Sequence, residues 1–142
     1  ICKIKVGDNM DYYVVDCISA DLAMGAGIAK EFTKRGVKAQ LQRGYQDIGI
    51  GDCLMSNTTA WGAEFSLVTK ENHWQKPTYK TMRMALGNAS LLCKSVERYG
   101  CAVKLAMPKI GCGLDKLEWS KVKAIIEEVF ADTDVEILVC VK

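Results

Sequence analysis

Two short stretches of this sequence place glycine where a phosphate group would need bare backbone. The first is Met24-Gly25-Ala26-Gly27-Ile28-Ala29, reached through Ser19-Ala20-Asp21. The second is Pro108-Lys109-Ile110-Gly111-Cys112-Gly113-Leu114-Asp115. Glycine lets main-chain N–H groups approach phosphate oxygens, and a helix starting just beyond adds a favourable dipole. Neither stretch is a G-x-G-x-x-G fingerprint or a P-loop, since Gly27 is followed by Ile28-Ala29-Lys30 and the second run ends in an acid. Either one alone also reads as a plain structural turn. Together, at equivalent strand ends, they can grip a diphosphate from two sides.

Lys70 and Asp115 are the groups that could do chemistry beside such a diphosphate. A lysine at a strand end is ordinarily a solvated charge. As a nucleophile near neutral pH it would have to fall about 3 units from a free pKa of about 10.4, roughly 4 kcal/mol, by desolvation or a neighbouring cation. Asp115, with Glu118 three residues on, also fits a loose capping box for the helix that follows, and both readings stay open. His73 is the one histidine, which rules out a multi-histidine metal centre. No G-x-S-x-G elbow supports a hydrolase triad built on it. Trp61, Trp74 and Trp119 are too scattered for a base-stacking platform, so core or loop packing is expected of them.

The elements that must position these groups follow from the apolar patterning. Residues 12–18, Tyr-Tyr-Val-Val-Asp-Cys-Ile, have the composition of a buried strand. A helix is expected over 28–35, closed by Gly36, and a weaker one over 37–46. Residues 52–57 and 64–69 read as a hairpin. Lys76-Pro77-Thr78 starts a long amphipathic helix, with Thr78 as its cap, running through Met82, Leu86, Ala89, Val96 and Tyr99 to Gly100. A short strand over 102–107, a helix around Val122–Phe130 and a strand over 135–141 complete the chain. Alternating strands and helices, with strands apolar throughout, predict a layered α/β/α fold whose ligands sit at the carboxyl ends of strands.

The bulk properties agree. One domain over 1–142 is expected from the length, and 49% hydrophobic residues suffice for a real core. A net charge of +2 leaves no basic stripe for nucleic acid or an anionic membrane. The seven cysteines are odd in number and irregularly spaced, without a CxxC pair, so neither disulfides nor zinc are expected and the compartment should be reducing. Cys17 and Cys140, inside apolar runs, should behave as small buried hydrophobes. No run is long enough to span a membrane and no signal-peptide pattern opens the chain, so an intracellular monomer is expected.

Read jointly, these segments resemble the macrodomain family, and within it the terminal ADP-ribose protein glycohydrolase branch. The likeness is carried by Cys17-Ile18-Ser19-Ala20-Asp21 with Met24–Ala29, by Val68-Thr69-Lys70, by Lys76-Pro77-Thr78-Tyr79 and by Met107–Asp115, and runs from about Tyr12 to the C-terminus. The resemblance implies a three-layer α/β/α fold with a mixed central sheet. It implies ADP-ribose as ligand, no cofactor and no metal. The binding residues would be Ser19, Asp21, Met24, Gly25, Ala26, Gly27 and Ile28 on one side, and Pro108, Ile110, Gly111, Cys112, Gly113 and Leu114 on the other. Lys70 would attack the anomeric carbon and Asp115 would assist release of the lysine adduct. The substrates implied are ADP-ribose esters of glutamate or aspartate side chains and O-acyl-ADP-ribose, with ADP-ribosylated DNA the substrate of a related branch. Asp8, in Gly7-Asp8-Asn9-Met10, corresponds to an adenine-reading aspartate, although the stretch from it to Cys17 is shorter than the family's and a turn residue is the alternative. Two other functions fit the family: an ADP-ribose 1''-phosphate phosphatase and a non-catalytic ADP-ribose reader. Retention of both Lys70 and Asp115 favours the hydrolase.

Overall fold

Alternation along β1 (Tyr12–Ser19) sends Val14 and Ile18 to one side of the sheet and Tyr13, Val15 and Cys17 to the other. A strand apolar on both faces has to be covered twice, and it is. The computed structural model describes residues 12–140 apart from 26, 59–61 and 101–102; of Gly27, Ile28, Glu31, Thr58 and Gly62 it describes the backbone alone. The expectations for Asp8, Ala26 and Trp61 lie outside the described residues.

After β1 come α1 (Gly27–Lys34), α2 (Val37–Gly44), the hairpin β2 (Cys53–Thr58) and β3 (Gly62–Lys70), α3 (Tyr79–Glu97), β4 (Lys104–Met107), α4 (Trp119–Val129) and β5 (Glu136–Val139). The sheet order is β2-β3-β1-β4-β5. β1 pairs in parallel with both β3 and β4, β4 pairs in parallel with β5, and only β2 runs antiparallel, against β3. The sheet is therefore mixed, as expected. On one face Phe32, Val37 and Leu41 of the first two helices pack with Val14, Ile18, Leu54 and Val68. On the other, Met82, Ala85, Leu86 and Ala89 of α3 and Val122, Ile125 and Ile126 of α4 cover Val15, Phe65, Leu67 and Leu105. These are the three layers.

Local signals set the helix ends. Gly36, at φ 88°, takes the left-handed conformation that turns α1 into α2. Thr78 caps α3 by accepting from the Thr81 N–H, and Thr81 returns the bond to the Thr78 N–H. Three expectations need correction. Trp74 is 69% exposed, so it packs in neither core nor loop interior. Asp115 is no helix cap: α4 begins four residues later with Glu118 at the capping position. Cys17 and Cys140 are partly rather than fully buried, and of the described cysteines Cys93 alone is fully enclosed. Among the described residues no helix is long and apolar enough to cross a membrane.

Candidate functional site

Three parallel neighbours, β3, β1 and β4, end on the same edge of the sheet, so the segments that follow them must meet there. Ser19 and Lys70, the last residues of β1 and β3, are register partners across a small irregularity. The pairing continues past the strands, with Ala20 N–H donating to the Lys70 carbonyl at 2.9 Å and Asp21 N–H to that of Glu71 at 3.1 Å. On the other side of β1, the chain leaves Met107 into the second glycine loop.

Lys70 and Asp115 come together across the end of β1. The ammonium Nζ donates to Asp115 Oδ1 at 3.0 Å, and the two side chains are 15% and 17% exposed. A pair this enclosed is screened far less than a surface ion pair. Cys17 is close enough to feel both charges. Burial first, then the charges of Asp16, Asp115 and Cys112, push the Cys17 thiol well up, only partly offset by Lys70. Burial likewise raises Cys112. Both shifts work against the thiolate form at these two positions.

The first loop is ordered by Asp21. Its carboxylate accepts from Ser19 Oγ, from Ala23 N–H at 3.0 Å, and from both the main chain and the ring Nδ1 of His73, at 2.9 and 2.8 Å. Partial burial alone would raise the Asp21 pKa; the bonds from Ser19, His73 and Ala23 outweigh it and hold the carboxyl well below the usual carboxylate range. The carboxylate thus sits between Ser19 and His73, and a serine–histidine–aspartate relay, which needs the imidazole in the middle, is not formed. Leu22 and Met24 adopt positive φ, 55° and 48°, and turn the chain toward α1. Their side chains are buried, so this loop offers a ligand its backbone around Gly25. Thr33 Oγ1 donates to the Met24 carbonyl at 3.0 Å and ties the loop to α1.

The second loop is built differently. Ile110 is buried in the core and anchors it. Gly111 lies at φ 73°, and a Cβ there would meet Met82 Cε at 2.7 Å and Leu117 Cδ1 at 3.0 Å. Gly113 has nothing within 4 Å of a Cβ and is exposed. The loop closes on itself through Leu117 N–H to the Gly111 carbonyl at 2.8 Å and Lys116 N–H to that of Gly113 at 3.1 Å. Pro108 and Cys112 are partly buried and Leu114 is exposed at its tip.

The structure thus brings Ser19, Asp21, Gly25, Lys70, Gly113 and Asp115 to one edge, whereas Met24 and Ile110 give their side chains to the core. Sequence reasoning missed His73, whose place against Asp21 has no local signal, and it missed that Lys76 and Tyr79 touch the second loop. Among the described residues no cluster of three or more His, Cys, Asp or Glu could hold a metal.

No family model matches the sequence. Known proteins do. The chain is similar to the ADP-ribose glycohydrolase OARD1 of Bos taurus, 40% identical over 128 residues that cover 89% of this chain and 79% of that protein. It is also similar to the protein of that name from Homo sapiens, 38% identical over 125 residues and covering 87% and 77%. In three dimensions it resembles the macrodomain of Thermus aquaticus DarG, with a TM-score of 0.75 at 19% identity over 95% of this chain and 92% of that one. With such identity over most of both sequences, and with the mixed three-layer fold and paired glycine loops in place, the chain belongs to the macrodomain family.

Proposed function

We propose that this protein binds ADP-ribose between its two glycine loops and hydrolyses ADP-ribosyl ester bonds, with Lys70 as the nucleophile. The observation that carries the reading is the enclosed Lys70–Asp115 pair, 3.0 Å apart at the sheet edge where both loops converge. A protein that only bound the ligand would need neither residue. The name ADP-ribose glycohydrolase, borne by relatives about 40% identical, supports the same activity.

In this reading the backbone around Gly25–Ile28 and Gly111–Leu114 receives the diphosphate and distal ribose, with Ser19 beside that ribose. The proton that Lys70 must lose passes to Asp115, the acceptor it already touches. The amine lone pair forms a C–N bond at the anomeric carbon as the C–O bond to the acyl group breaks, and the carboxylate departs with the bonding electrons. A carboxylate is a good leaving group, so little acid catalysis is required. Water then replaces the lysine, freeing ADP-ribose and restoring the amine, with Asp115 placed to exchange the proton. Splitting one displacement into two is the ordinary gain of covalent catalysis. Esters on glutamate or aspartate and O-acyl-ADP-ribose share this chemistry, and an ADP-ribosylated DNA base would need only a different leaving group. We take the active unit to be a monomer.

Incubation with a glutamate-ADP-ribosylated protein should release free ADP-ribose. Lys70→Ala should abolish release, by a factor of about 10³ or more, while ADP-ribose still binds. Lys70→Arg sharpens the test, because guanidinium keeps the charge yet supplies no neutral amine near pH 7. Turnover of that variant at the wild-type rate would refute covalent catalysis.

A further inference from the structure

Lys76-Pro77-Thr78-Tyr79 touches neither glycine run in sequence, yet two of its side chains reach the second loop. Lys76 Nζ donates to the Leu114 carbonyl at 2.7 Å. The Glu118 N–H donates to the Tyr79 hydroxyl at 3.0 Å. Leu114 precedes Asp115 directly and Glu118 follows it by three, so the two bonds bracket the aspartate on both sides. Lys121 of α4 stands 5.3 Å over the Tyr79 ring and keeps the phenol facing that helix. Pro77 is buried and Thr78 caps α3, so the short segment bearing both side chains is itself anchored. At its other end the same connection begins at Lys70, the last residue of β3.

We infer that Lys76 and Tyr79 are positioning residues that fix Asp115 against Lys70, through the main chain on either side of the aspartate. The inference rests on the proposed reaction for its functional meaning, though the brace itself does not. Besides the Lys70 bond, residues 114–118 are tied by the turn bonds from Lys116 and Leu117 N–H, by α4 through Lys121 and Val122 N–H to the Glu118 carbonyl and the Lys121–Glu118 ion pair, and by these two bonds from α3's start. The turn bonds shape the loop internally. The bonds from Lys76 and Tyr79 set where the loop stands relative to β3 and thus to Lys70. A charge-assisted bond such as that from Lys76 is stronger than a neutral one, and an error of about 1 Å in a reacting group can cost about a hundredfold in rate.

Four proteins suffice for the test: wild type, Lys76→Met, Lys76→Arg and Tyr79→Phe, assayed on the glutamate ester and for ADP-ribose affinity by calorimetry. Lys76→Met and Tyr79→Phe should each lower kcat by about tenfold or more, with ADP-ribose affinity within about threefold of wild type, and Lys76→Arg should recover most of the loss. Unchanged kcat in both variants, or a loss of affinity as large as the loss of rate, would overturn the inference. Should the wild type itself show no turnover, the proposed activity fails, and the brace is read instead from the NMR chemical shifts of the Lys70 side chain at fixed pH, which report its 3.0 Å contact with Asp115. Those signals should move in Lys76→Met and Tyr79→Phe as Asp115 drifts; unmoved signals in both variants overturn the brace whatever the activity.

Discussion

Asp16 should make this protein less stable as pH rises through the range in which most proteins are comfortable. It stands in the middle of β1, fully buried, with neither carboxyl oxygen in a hydrogen bond of ordinary geometry. Ser66 is its register partner on β3 and the buried Glu64 lies two residues away on the same strand. Burial, and then the charge of Glu64, push its pKa up to about 7 from an ordinary 3.8, with Ser66 only partly offsetting them. The folded state therefore holds a proton that the unfolded chain releases between these values. An acid whose folded pKa is raised contributes its full stability below the unfolded pKa and loses it as pH rises to the folded one. A gap of about 3 units at 1.36 kcal/mol each is roughly 4 kcal/mol lost between pH 4 and pH 7. Asp16→Asn keeps the shape and removes the ionisation. Urea unfolding of both proteins should show little pH dependence of their difference below pH 4, and a variant favoured by up to about 4 kcal/mol at pH 8. In melting temperature that is on the order of 10 °C. Working with the difference matters, because Asp21, held well below the carboxylate range, acts oppositely and loses its contribution in acid in both proteins. A difference constant from pH 4 to 8 would show that Asp16 is not the buried acid described, and the argument from burial would fall with it.

Other perturbations separate ligand from fold. ADP-ribose should raise the melting temperature by mass action and AMP, lacking the distal ribose and second phosphate, should raise it less; no shift at millimolar ADP-ribose would remove the binding proposal. Gly113→Glu has open space and no backbone penalty, so calorimetry should find a folded variant with ADP-ribose affinity reduced tenfold or more by charge and bulk, and unchanged affinity would move the site elsewhere. Thr78→Ala should cost about 1 kcal/mol of stability in denaturant melts by loss of the α3 cap, and a cost near zero would discount the capping box.

Much of the frame was legible because it is local. The 3–4 spacing from Met82 to Val96 predicts α3, Pro77-Thr78 its start and Gly36 the break between the first two helices, and each reflects a period or a backbone angle that neighbours alone decide. The β2–β3 hairpin was legible for the same reason. The site was legible only in pieces. Asp115 and Lys70 are separated by 45 positions, and no periodicity links them; spacing alone favours Asp115 as a cap for α4. What overrides that reading is strand order, which puts β3 and β4 on either side of β1. Trp74 escaped for a simpler reason: tryptophan is usually covered, and nothing local says that this one faces solvent. Asp16 was absorbed into an apolar run, because its neighbours Val14, Val15, Cys17 and Ile18 set the strand by themselves.

The two glycines of Gly111-Cys112-Gly113 show why a motif is not one fact. Both match the same family pattern, and the resemblance gives both to the ligand. Gly111 is favoured by the fold: its positive φ strains any residue with a side chain, and Met82 and Leu117 would have to shift to admit a Cβ, whether or not anything binds. Gly113 meets no such constraint, with ordinary φ and open surroundings. A residue with a side chain could stand there without strain in the unliganded protein, so the fold supplies no reason for glycine at 113. The reason we propose is the approach of a ligand to the backbone, the diphosphate or distal ribose of the proposed ADP-ribose. The ligand reading of the second loop therefore rests on Gly113 and the adjoining Asp115, while Gly111 and Ile110 explain how the loop comes to hold them there.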